Sequence, residues 1–141
     1  MRTNTYLVFD GNCREAMKFY QRCLGGELQF VPASEMPGGA PEGNPNRMVH
    51  SMLRNGDVVW MGMDNQPGLP YRPGNNFLIN INCESVEEIN RVFAALALEG
   101  KITMPLQETF FADRFGMLTD RFGISWIFGL EKAGWMPGKT K

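Results

Sequence analysis

Asn12-Cys13-Arg14-Glu15-Ala16-Met17-Lys18-Phe19-Tyr20-Gln21-Arg22-Cys23-Leu24-Gly25 decides the fold, because its design recurs at Ser85-Val86-Glu87-Glu88-Ile89-Asn90-Arg91-Val92-Phe93 and on to Leu96. In each copy a residue able to cap a helix is followed three places later by Glu. That is the spacing of a capping box, which satisfies free N–H groups of the first turn. Apolar side chains then fall at Ala16, Phe19, Tyr20 and Cys23, and at Ile89, Val92, Phe93 and Leu96. This is the i, i+3, i+4, i+7 pattern of one buried helical face. The two faces superpose with a constant offset of 73 residues, from Asn12 to Ser85, so the chain contains an internal repeat.

A second pair of landmarks follows the helices. Met52 to Trp60 and Met117 to Trp126 are each an apolar run, a Gly-containing turn and a second run carrying Trp, which predicts two β-hairpins. Their offset is 65 residues at Met52 and Met117, so the first copy holds about eight extra residues, visible as the Pro/Gly-rich stretch 32–46. Four Pro and three Gly there are incompatible with a sheet ladder and predict a flap or surface loop.

Between these landmarks the sequence predicts strands at 4–9, 27–31, 47–54 and 57–63 around helix 13–24 in the first copy. In the second it predicts strands at 76–82, 101–104, 111–119 and 123–130 around helix 86–98. Asn55-Gly56 is placed at the first hairpin turn, since both residues tolerate positive φ. The expected architecture is α+β. Two βαβββ modules, 1–64 and 76–130, form one domain with a linker at 65–75 and a tail at 131–141 in which Trp135 docks. Mixed sheets enclose a cavity and the helices lie outside, because each module leaves one sheet face to cover.

At 141 residues the chain can bury one substantial core, whereas a unit of about 65 residues alone would be marginal. A net charge of −1 and the lack of a basic run beyond the short tail argue against nucleic acid or an anionic membrane as partner. No stretch approaches the roughly 18 consecutive apolar residues of a membrane span, and Met1 to Phe9 is too short in apolar run for a secretory leader. Cys13, Cys23 and Cys83 are odd in number and lack C-x-x-C spacing, which suits reduced packing thiols. A cytoplasmic protein is expected.

The repeat, with Gly11 to Ala16, Phe19-Tyr20, Gly25-Gly26, Met61-Gly62, Met104 to Phe110, Arg114 to Met117 and Asp120 to Trp126, resembles the PhnB-like branch of the glyoxalase/bleomycin-resistance/extradiol-dioxygenase group, the vicinal oxygen chelate proteins. The resemblance covers nearly the whole chain and implies paired βαβββ modules and a homodimer. It does not imply one chemistry. Metalloenzymes of the group place His, Gln or Glu in the first and last strands of each module. The matching positions here are Thr5, Trp60 or Met61, Asn76 to Leu78 and Ile127, none a good ligand for the metals concerned. No metal site and no cofactor are expected. Some PhnB-like proteins are labelled ubiquinone methyltransferases, but the chain has no Gly-rich nucleotide-binding turn between strand and helix.

His50, the one histidine, lies in the third strand and is the candidate catalytic residue, as a proton acceptor. A structural role is the plainer alternative. Trp60 and Trp126 occupy equivalent places in the two copies and are expected on the pocket walls, unless both are core. Asn76 and Asn80 alternate with apolar neighbours, as on a strand with a wet face. Glu108 and Arg114 flank Phe110 and Phe111, a set suited to a planar anion, although Arg114 could instead bridge to Asp120 or Glu108 on the surface. The expected function is binding of a small apolar or aromatic molecule in an inter-module pocket. A metal-dependent lyase, isomerase or dioxygenase, and a structural dimer module with a vestigial site, are the alternatives.

Overall fold

Two amphipathic helices form where the repeated pattern places them, α1 at Cys13–Leu24 and α2 at Val86–Ala97. Each lies on one side of a four-stranded mixed sheet in a computed structural model that describes residues 1–39 and 43–134. The strands are β1 (Thr5–Phe9), β2 (Glu27–Pro32), β3 (Met48–Asn55), β4 (Val58–Asp64), β5 (Ile79–Asn82), β6 (Lys101–Gln107), β7 (Ala112–Thr119) and β8 (Ser125–Glu131). The sheet orders are β1-β4-β3-β2 and β5-β8-β7-β6, the same topology twice, and neither sheet closes into a barrel. In both, the first strand runs parallel to the last and the other pairings are antiparallel. The chain divides into two compact units, Met1–Pro73 and Gly74 onward.

Register verifies the repeat residue by residue. Leu53 faces Trp60 and Leu118 faces Trp126 across the two hairpins, while Thr5 and Ile79 sit beside those tryptophans in the parallel pairs. The glycines that end the helical segments act alike. A Cβ on Gly26 would come within 2.4 Å of Arg54 O, and one on Gly100 within 2.5 Å of Thr119 O. In both units the chain passes against the end of the central strand at a separation that only glycine permits.

The helix starts differ. Ser85 Oγ accepts the Glu88 N–H at 3.1 Å, as the capping pattern predicts. Asn12 makes no side-chain cap. Instead Asp64, at the end of β4 and 4% exposed, accepts the Cys13 N–H at 2.9 Å through Oδ1 and the Met48 N–H at 2.9 Å through Oδ2. A carboxylate also suits the positive end of a helix better than a neutral amide does.

Other boundaries move for physical reasons. The first hairpin turns at Gly56-Asp57, one residue later than expected, because Asn55 still pairs with Val58. The Asn55 side chain is occupied elsewhere, its Nδ2 donating to Leu24 O at 2.7 Å at the end of α1. β5 begins at Ile79 and not at Asn76, since its partner β8 begins only at Ser125, opposite Leu78 in this register, and offers nothing to residues 76 and 77. β6 runs on through Pro105, which an edge strand interrupted by bulges tolerates. The 32–46 stretch is pinned at its stem by Ala33 N–H to Arg47 O and Ser34 N–H to Pro45 O, with a short 3-10 turn at Ala33–Glu35. Residues 40–42 and 135–141, including Trp135, lie outside the described residues.

Asp64→Ala leaves two buried backbone donors unmatched and is expected to destabilise the protein by roughly 3 kcal/mol, given about 1–3 kcal/mol for each such group. Gly26→Ala, with φ at +101° and a carbonyl in the way, is expected to cost about 2 kcal/mol or more. Urea unfolding followed by tryptophan fluorescence measures both.

Candidate functional site

Alternation along the strands sorts each sheet into two sides. In the first unit Ser51 Oγ lies 3.5 Å from Cys13 Sγ, and a Cβ on Gly62 would touch Met17, so Ser51, Leu53, Trp60 and Gly62 face α1. Leu7 and Phe9 join them in the core at 8% and 1% exposure. The opposite side carries Tyr6, Val8, His50, Met52, Met61 and Met63, all exposed or half-exposed. α1 covers none of it.

The polar centre of that open side is one hydrogen bond. Tyr6 Oη lies 2.8 Å from His50 Nδ1, with ring centroids 5.8 Å apart. Desolvation, reinforced by the nearby Cys13, holds the Tyr6 hydroxyl above its ordinary pKa of 10.0, so it stays a phenol at neutral pH. With imidazole protonated at Nε2 the phenol donates to Nδ1, and with the other tautomer Nδ1–H donates to the phenol oxygen. Either arrangement fixes the ring and leaves Nε2 for a ligand. The strand assignment of His50 was legible in the sequence, whereas Tyr6, 44 residues away in β1, was not.

In the second unit Phe93 of α2 packs edge-on against Phe128 at 5.2 Å, which puts Gly116, Leu118, Trp126 and Phe128 on the helix side. Asn80, Phe115, Met117 and Ile127 occupy the other side. The two tryptophans expected on pocket walls therefore belong to the helix-facing sides. Trp126 is wholly buried and its indole N–H donates to Asp120 Oδ2 at 2.8 Å. Trp60 is half-buried beside Leu53. Asp120 Oδ1 accepts the Phe122 and Ile124 N–H groups at 2.8 and 3.1 Å, so this carboxylate shapes the β7–β8 turn.

The remaining candidates scatter. Asn76 is exposed ahead of β5, and Asn80 is exposed on it. Glu108 pairs with Lys132 at 3.5 Å, and Arg114 Nη1 donates to the carbonyl of Asp113 at 2.7 Å, so neither of the expected Arg114 ion pairs forms. Phe110 is 79% exposed and leans edge-on against Phe111 at 5.1 Å, which continues to Phe115 at 5.2 Å. Among the described residues no three His, Cys, Asp or Glu side chains gather as a metal site would need.

All three cysteines are free and buried. Desolvation, partly offset by the Ser51 hydrogen bond, pushes the Cys13 thiol up from 9.0 to about 11. Desolvation and the neighbouring Glu88 carry Cys83 to about 12. Neither is a nucleophile at neutral pH.

Residues 2–128 match a family profile described as 3-demethylubiquinone-9 3-methyltransferase. The chain is 40% identical to the solved protein PA1353 from Pseudomonas aeruginosa, with a TM-score of 0.84, 93% of this chain and 98% of that one covered. A solved Bacillus cereus protein, described as a putative 3-demethylubiquinone-9 3-methyltransferase, PhnB protein, is 30% identical with a TM-score of 0.74, covering 92% and 99% of the two chains. The chain belongs to this PhnB-like family. It shares the fold of a solved glyoxylase/bleomycin resistance protein/dioxygenase domain from Frankia sp. EAN1pec, 16% identical with a TM-score of 0.67. It is also 35% identical over 143 residues to Protein YjdN of Escherichia coli (strain K12), covering 94% of this chain and 97% of that protein. No described helix is long and apolar enough to cross a membrane.

With both thiols binding their protons more tightly when folded, their contribution to stability is complete below pH 9 and is lost as pH rises toward about 11 and 12. Native protein at pH 8 is expected to react with a thiol reagent such as DTNB only on the timescale of unfolding, and denatured protein to release three equivalents at once. Cys13→Ala should blunt the alkaline loss of stability in a pH series of urea midpoints.

Proposed function

We propose that this protein binds a small apolar or aromatic molecule on the open side of the first sheet, with the Tyr6–His50 pair as its polar anchor. The observation that carries the reading is the pair itself. A phenol and an imidazole are locked together at 2.8 Å on a strand face otherwise built of Val8 and three methionines. Methionine adapts its shape to a partner and presents a polarisable surface, while one fixed donor and acceptor sets orientation. The same pair favours proton transfer as the chemistry, if the bound molecule is turned over, since Nε2 carries the free lone pair of a base in the tautomer whose Nδ1–H donates to the phenol oxygen.

The same reading takes the protein to work as a homodimer, in the cytoplasm and without a resident metal or cofactor. The exposed apolar side chains Phe77, Leu78 and Phe110 support association, at 82%, 47% and 79% exposure. Three free thiols suit a reducing compartment. As for metal, the buried carboxylates Asp64 and Asp120 already accept N–H groups through both oxygens.

Thermal shift with phenol, 1,4-benzoquinone, naphthol and benzoate is the test, because a ligand of the native state raises the melting temperature by mass action. At least one is expected to stabilise the protein. Tyr6→Phe and His50→Gln should each weaken that ligand about tenfold, about the net worth of one good hydrogen bond, and Met61→Lys should abolish binding. Stabilisation unchanged by all three substitutions would overturn the site, and a stoichiometric metal retained through chelation would overturn the metal-free reading.

A further inference from the structure

The Tyr6–His50 hydrogen bond crosses a strand. In the sheet order β1-β4-β3-β2, Tyr6 belongs to β1 and His50 to β3, so β4 lies between them and the two side chains meet above it, across about 10 Å of sheet. Tyr6 is level with Met61, and Val8 with Met63. His50 stands one step beyond the Ser51–Gly62 pair, which puts it level with Met63. The bridge therefore runs diagonally between two β4 methionines on the same face, both half-buried and so reachable from solvent. Methionine is unbranched and freely rotating, and cross-strand neighbours on one face have Cβ atoms about 5 Å apart. Both thioethers are thus within reach of the imidazole.

This donor set is chemically selective. Tyr6 occupies Nδ1, and Nε2 makes no hydrogen bond among the described residues. In the tautomer whose Nδ1–H donates to the phenol oxygen, Nε2 carries a free lone pair. Ligating histidines are commonly held in that way, one ring nitrogen fixed by a hydrogen-bond partner and the other on the metal. The strand positions around the imidazole are Val8, Val31, Gln29 and Met52, none a carboxylate, and Glu27 lies at the far end of the face opposite Arg54. Arg54 Nη2 donates to Met52 Sδ at 3.6 Å, which leaves Met61 and Met63 as the sulfur donors. Hard divalent cations find no anionic oxygen here, whereas thioether sulfur with imidazole selects Cu(I).

The second unit lacks the set. The places equivalent to Tyr6, Met61, Met63 and His50 hold Asn80, Ile127, Gly129 and Phe115, without sulfur or imidazole. The donors are therefore not a by-product of the repeated fold.

We propose that His50 Nε2, Met61 Sδ and Met63 Sδ form a three-coordinate site for a soft monovalent cation, Cu(I), with Tyr6 as the positioning residue. Neutral donors yield such an ion to a strong chelator, so it is a guest on the sheet face and not a resident cofactor. The site uses the pair that anchors the aromatic ligand but does not depend on that ligand.

Anaerobic titration of the full chain with Cu(I), supplied as its acetonitrile complex, tests the site by NMR of carbon-labelled methionine methyl groups, and competition with bicinchoninate gives the affinity. Among the ten methionines, the Met61 and Met63 methyl signals are expected to shift most and to saturate at one equivalent, while Zn(II) leaves them in place. Met61→Leu, Met63→Leu and His50→Gln should each weaken Cu(I) about tenfold or more, since losing even the hydrogen-bond partner of a ligand costs about 10–100-fold, the range expected for Tyr6→Phe. Leucine conserves volume and apolar character, so both leucine variants should fold and keep the thermal shift by the aromatic compounds. The two readings of this face thus fail separately. The proposal is overturned if neither methyl signal moves, if Zn(II) moves them equally, or if one equivalent of copper persists at full affinity in both leucine variants, as it would on a cysteine.

Discussion

A single buried carboxylate sets the geometry of the first unit. Asp64 closes β4, and its two oxygens reach in different directions, one to the first residue of α1 and one to the first residue of β3. Helix, central strand and parallel strand are thereby joined at one point. Neighbouring bonds reinforce it. Asn65 donates its N–H to Phe9 O at 2.7 Å, and Ser51 Oγ donates to Gly62 O at 2.9 Å while touching Cys13.

The two units solve equivalent problems with different residues. Beneath α1, the cross-strand pair Ser51 and Gly62 is small, and the space is filled by Met17 and Phe9. Beneath α2, the equivalent pair is Gly116 and Phe128, and Phe93 packs edge-on into it. Phe93 stands at the place of Tyr20, so the volume that Met17 supplies from the helix in one unit, where the other has the exposed Asn90, is supplied by Phe128 from the strand, while the backbone topology is kept, as expected where cores tolerate exchange at constant total volume. The polar devices diverge further. α2 is capped locally by Ser85, whereas α1 relies on Asp64, and the buried Asp120 serves the β7–β8 turn.

This contrast explains what could be read from the chain. Helices, hairpins and their duplication were legible because amphipathic periodicity and turn chemistry are local. The α1 cap was misassigned because its partner is 51 residues from Cys13, and the Asn55-Gly56 turn because Asn55 still pairs with Val58 in the ladder. The short β5 depends on where β8 begins, a fact that residues 76–82 do not contain. At the candidate site His50 could be found by type, but the phenol that orients it comes from another strand. Trp60 and Trp126 marked the duplication correctly, yet aromatic identity alone does not say which side of a sheet a residue faces.

The fastening of α1 has a dynamic corollary. Asp64 holds its opening N–H and Asn55 Nδ2 holds its closing carbonyl, and both side chains belong to the β3–β4 ribbon. The usual fraying of helix ends is thus suppressed from outside the helix. Its backbone should open to solvent only when the ribbon itself separates, so helix and ribbon behave as one cooperative element of the unit.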